Sequence, residues 1–209
     1  MNAVAQASSA VDQTAVPHIV RASVKLGVIQ AIIVLLFSLV SRFLNGPLMT
    51  GLEAVILLAG LSATVLLPGI WTKARTIEGV AGAAGIGLGA AVVYLLLDVS
   101  ILQNIGTYTN RWREIGGFSN WWWHPVWWML GTWLSWFGAF AQANQAARRG
   151  ATNPVMVMVL AVAFALVCGV VGNAIHFPAA QWNFPTFAVC FIPGLALTVL
   201  ATALAPRRA

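Results

Sequence analysis

The chain has 209 residues, of which 60% are hydrophobic and only 8% charged. A soluble globular domain carries about 25% charged residues, so an ordinary soluble protein is excluded, and so are disordered, collagen-like and coiled-coil chains. The net charge of +6 comes from 11 Lys and Arg against 5 Asp and Glu. Because the bases sit in pairs at the ends of apolar runs, they report membrane topology rather than nucleic-acid binding.

A mean hydropathy of +0.85 predicts an all-α integral membrane protein, a bundle of six transmembrane helices. Residues 1–20, rich in Ala, Ser and Gln, read as a mobile cytoplasmic arm without the basic start and apolar stretch of a secretory signal. Apolar runs of spanning length follow at about 25–44, 49–70, 77–102, 124–146, 154–175 and 184–204, within a single bundle over 21–205. Gly and Pro break the chain between them, at Asn45-Gly46-Pro47, Pro68-Gly69, Arg148-Arg149-Gly150, Asn153-Pro154 and Phe177-Pro178. A basic tail, 206–209, closes the sequence.

Alternation of six spans assigns Arg21, Lys25, Lys73, Arg75, Arg148, Arg149, Arg207 and Arg208 to one side, and Arg42, Arg111 and Arg113 to the other. Cytoplasmic loops carry the excess of Lys and Arg. Both termini are therefore expected in the cytoplasm, and the expected location is a bacterial cytoplasmic membrane.

The second span carries Glu53 near its outer start. In the third, Ala81, Gly85 and Gly89 repeat every four residues, a pattern of small residues that lets helices approach closely. Tyr94 and Asp98 share a face near the outer end of that span. An acid inside a span is costly and marks either structural pairing, here with Arg111 or Arg113, or a ligand or proton role. Glu78 lies in the span's first turn, where the helix dipole favours it.

Nine of the ten Trp fall between residues 112 and 182, most of them toward the outer end of the fourth span. Indoles prefer the headgroup level, but so many suggest an outer surface for lipid, cofactor or a partner protein. The fourth span has a seam at helical spacing, His124, Trp128, Gly131, Ser135, Gly138 and Gln142, and the fifth a shorter one, Gly169, Gly172, Asn173 and His176. Both seams are expected to face other helices. Pro193-Gly194 could kink the sixth span.

His124, His176 and Trp128 are candidate cofactor residues, and His124, His176 and Asp98 candidate metal ligands, since imidazole and carboxylate together suit Cu, Zn or Fe. The cofactors in view are haem, pigment, quinone or a metal ion, and interfacial hydrogen bonding is the plainer role for both histidines. Cys168 and Cys190 lie in apolar runs and read as small hydrophobes. The sequence has no Gly-x-Ser-x-Gly, His-Glu-x-x-His, Cys-x-x-Cys or phosphate-binding Gly-rich loop.

The leading expectation is an accessory subunit of a larger respiratory, photosynthetic or oxygenase complex, with lipids and other membrane subunits, or itself, as partners. The alternative is a small carrier or channel for a neutral or apolar solute, lined by Gly131, Ser135 and Gln142. It draws on an inverted repeat at an offset of 107 residues, which aligns Pro47 with Pro154 and Gly87 with Gly194. A membrane metalloenzyme is the third reading.

Overall fold

A computed structural model of the chain describes residues 15–109, 124–177 and 180–206. Its described residues form six α-helices and no strand: α1 (Val16–Phe43), α2 (Gly46–Trp71), α3 (Ile77–Leu97), α4 (His124–Arg149), α5 (Pro154–Ala174) and α6 (Phe184–Leu204). A π-turn, Asp98–Leu102, extends α3. Five helices (α1, α2, α3 with its π-turn, α5 and α6) are long and apolar enough to cross a membrane. α4 falls short of that standard because its sequence combines Trp with Gln, Asn and Ser.

Local chemistry sets the boundaries. Asn153 and Asn183 cap α5 and α6, each side chain accepting from the backbone N–H three residues on, at 3.0 and 2.9 Å. Pro154 and Pro185 sit in the first turns, where their missing N–H costs nothing. At the other end, Lys73 and His176 adopt left-handed backbone, with φ of 48° and 53°. The N–H after each reaches back to the helix, Ala74 to the Gly69 carbonyl and Phe177 to the Gly172 carbonyl, the Schellman way of ending a helix.

One boundary moves substantially. The helix expected from residue 25 begins at Val16, with Pro17 in its first turn. Residues 16–20, expected in the mobile arm, are therefore helical, and His18 Nε2 lies 3.2 Å from the Trp71 carbonyl. Residues 1–14 and the tail from 207 lie outside the described residues.

α3 and α4 form the centre. α1 runs parallel to α3, with Ser23 donating to the Ile86 carbonyl and Gly27 against Ala90 and Val93. α4 runs antiparallel to α3, with Gly131 on Gly87 and Ala139 beside Ala83 and Val80. The packing stripe of α3 against α4 is Ala83, Gly87 and Ala91, two residues out of phase with the expected Ala81, Gly85 and Gly89. Two residues of the expected stripe also pack, against α1: Gly85 faces Ile19, and a Cβ at Gly89 would come within 3 Å of Ser23, while Ala81 is exposed.

α6 lies along α5, where a Cβ at Gly194 would come within 3 Å of the Ala165 N and Ala161 O. α6 continues as a helix through Pro193, so the Pro-Gly pair permits close approach without breaking the element. The two halves do not pack alike: α3 lies against α1 and α4, whereas α6 lies against α5 and α4. That pattern does not support the inverted repeat.

Candidate functional site

α4 brings two buried amides and a hydroxyl, Gln142, Gln145 and Ser135, into the bundle, and these are spent on neighbouring backbone. Pro68 in α2 has no N–H, so the carbonyl four residues earlier, that of Thr64, loses its helical donor. Ser135 Oγ donates to that carbonyl at 3.0 Å. Two turns along α4, Gln142 donates to the Leu66 carbonyl at 3.2 Å. Asn144 donates to the Val199 carbonyl of α6 at 3.1 Å, and the Gln145 side chain accepts from the Asn153 N–H at 2.8 Å. Ser135, Gln142 and Gln145 are all buried.

Of the expected seam, Gly131, Ser135, Gly138 and Gln142 face other helices, whereas Trp128 is exposed and the His124 side chain lies outside what the structure describes. The seam's hydroxyl and amide join α4 to α2, and its glycines let the backbones meet. A Cβ on Gly138 would fall within 3 Å of the Val65 carbonyl carbon, and one on Gly69 would lie 3.1 Å from Ala139 Cα.

The opposite face of α4 is apolar and open. Trp128, Met129 and Trp136 are exposed. With Thr132, Trp133 and Leu88 of α3 they line a groove of about 330 Å³. Trp133 stacks on Phe137 with ring centroids 3.7 Å apart. The candidate cofactor residue Trp128 belongs to this groove.

A second cluster forms where α3 ends. Asp98 is buried and accepts on both carboxylate oxygens, from Tyr108 on Oδ1 and from Gln103 on Oδ2 at 2.7 Å. The Tyr94 hydroxyl lies 3.3 Å from that of Tyr108. The π-turn makes this possible: the Gln103 N–H bonds to the Asp98 carbonyl five residues back, which brings the Gln103 side chain over its own turn's acid. Such turns occur often at functional sites.

Burial raises the Tyr108 phenol above its ordinary range; Tyr94 and the bond to Asp98 push the same way. Tyr108 is therefore a protonated donor at neutral pH. Ser38 and Arg42 of α1 clamp the following residues through the Thr107 and Gly106 carbonyls. Glu53, also buried, lies on α2 toward the same end of the bundle.

The side chain of His124 lies outside what the structure describes, as do Arg111 and Arg113. His176 is exposed and sits at the left-handed position that ends α5. Among the described residues, no three of His, Cys, Asp and Glu form a group able to hold a metal ion.

The geometry assigns His176 a backbone role, which makes a prediction. His176→Gly removes the imidazole and supplies the residue best suited to positive φ. The variant should be as stable as the parent or more so, by up to about 1 kcal/mol, in thermal unfolding. A loss of 2 kcal/mol or more would show that the imidazole itself holds something.

The Asp98 cluster exceeds what the sequence pairs. Spacing on an α-helix joins Tyr94 to Asp98, but the residues that contact the acid are Tyr108 and Gln103, ten and five positions on. Asn144 and Gln145 are further polar contacts of α4, to α6 and to the Asn153 N–H, which the seam ending at Gln142 leaves out. The chain matches no known family model, no curated protein and no solved structure.

Proposed function

We propose that this protein is an integral-membrane subunit of a larger membrane assembly, of respiratory, photosynthetic or oxygenase type. In this reading all six helices cross the membrane and both termini lie on the cytoplasmic side, the side of Arg21, Lys25, Lys73, Arg75, Arg148 and Arg149. The observation that carries it is the division of α4 into two faces. One face spends its Ser, Gln and Asn side chains on the backbones of α2 and α6. The other presents Trp128, Met129, Trp133 and Trp136 as an apolar groove.

The carrier reading requires polar groups free to meet a solute. Ser135 and Gln142, its expected lining, already bond to the Thr64 and Leu66 carbonyls. The outward faces of α1, α2, α3 and α5 expose Ile32, Leu36, Val55, Leu96 and Val159, which suits contact with lipid or other membrane helices.

Gentle extraction from the native membrane followed by native mass measurement tests the proposal. The expected species is heavier than a small multiple of 22.2 kDa and contains other chains. A lone monomer or small homo-oligomer would overturn it, and solute flux in liposomes holding only this chain would then favour the carrier.

A further inference from the structure

Because α1 begins at Val16, Arg21 and Lys25 lie in its second and third turns and not at the start of the helix. The bond between His18 and the Trp71 carbonyl sets the start of α1 level with the end of α2. Arg21 and Lys25 lie beyond that level, within the helix and exposed. Lys25 is seven residues past His18, or about 10 Å along the axis.

α2 has 26 residues and so is about 39 Å long, against about 30 Å of hydrocarbon. Each end then overhangs by roughly 4–5 Å, which puts Arg21 near the hydrocarbon edge and Lys25 about 5 Å inside it. The outward half of α1 around them is apolar, with Val20, Val24 and Val28 exposed.

α1 contains no Asp or Glu. Among the described residues, no hydrogen bond or ion pair engages Arg21 or Lys25. An exposed third cation, Lys73, sits two residues after Trp71 at the same end. Positive charge at the edge of an apolar face is stabilised when the side chains extend outward and meet phosphate.

We propose that Arg21 and Lys25, next to the α2 end with Lys73, form a binding site for the headgroup phosphate of an anionic phospholipid, whose acyl chains lie along Val20, Val24 and Val28. The charge complementarity selects the headgroup and the valine stripe selects a lipid over free phosphate. The site rests on the membrane-spanning part of the reading above and not on the existence of partner subunits.

The test is native mass spectrometry of the full chain, released from nanodiscs of phosphatidylglycerol or of phosphatidylcholine. The wild type should retain phosphatidylglycerol in preference to phosphatidylcholine. The Arg21→Gln, Lys25→Gln variant should retain it roughly thirtyfold less, the effect of removing two basic residues near an anionic surface. Arg21→Lys, which keeps the charge, should retain it.

Equal retention of the two lipids by the wild type would overturn the site, and so would undiminished retention by a folded double variant. Should the double variant not fold, the wild-type comparison decides alone. A chain that does not enter nanodiscs would instead defeat the membrane reading, and a chain without partners would defeat only the subunit reading.

Discussion

Gly138→Ala is expected to lower the stability of the bundle by at least about 2 kcal/mol, whereas Gly85→Ala should leave it unchanged or raise it slightly. Both substitutions add one methyl group to a helix, where Ala is favoured over Gly by roughly 0.5–1 kcal/mol. Their surroundings decide the sign. At Gly138 the new carbon meets the backbone of Val65 at less than 3 Å, and backbone cannot rotate away. At Gly85 the nearest atom is Ile19 Cγ2 at 3.7 Å, an ordinary contact.

Overpacking of a tight site typically costs 1–3 kcal/mol, and more where helices must separate. Separation here would also stretch the Ser135 bond to Thr64, three residues from Gly138. Thermal unfolding of both variants in one detergent reads the difference. Equal effects would mean that the α2–α4 contact is looser than described.

Asp98→Ala should release the turn that follows α3. It removes the acceptor for both the Tyr108 phenol and the Gln103 amide. A hydrogen bond to a charged group contributes about 1.5–3 kcal/mol, and the exposed Gln103 amide can turn to water, so loss of the half-buried Tyr108 bond should cost roughly 1.5–3 kcal/mol locally. Hydrogen exchange of the amides of residues 103–109 should speed up at least tenfold, since 1.4 kcal/mol is a factor of ten. Asp98→Asn keeps one acceptor oxygen and should fall between. Unchanged exchange in the alanine variant would show that Ser38 and Arg42 alone hold the turn.

Much of the helical pattern was legible because it rests on short-range chemistry. Asn153-Pro154 and Asn183 with Pro185 announce the starts of α5 and α6, and the range 77–102 matches α3 plus its π-turn. The start of α1 was not legible. Arg21 and Lys25 lower the local hydropathy, so the apolar run reads as starting only at about residue 25, although Pro17 is well placed to open a helix.

The packing stripe of α3 was ambiguous for a different reason. Gly and Ala occur at 81, 85 and 89 and also at 83, 87 and 91. Only the position of α4 selects the second set. The Asp98 cluster needs a π-turn, whose spacing of five no α-helical reading anticipates. The partner of the carbonyl freed by Pro68 lies 71 residues from it in sequence, on Ser135.

We propose that α4 crosses the membrane within the bundle, although its composition sets it apart from the five apolar helices. Single-cysteine labelling with a membrane-impermeant maleimide tests it, in a chain carrying Cys168→Ala and Cys190→Ala. Reporters at Arg75→Cys, Ile105→Cys and Ala151→Cys mark the α2–α3 turn, the end of α3 and the α4–α5 turn, all exposed. If α4 crosses, Ala151→Cys labels from the same side as Arg75→Cys, opposite Ile105→Cys. Labelling of Ala151→Cys from the side of Ile105→Cys would show that α4 does not cross, and would contradict the bundle on which the rest depends.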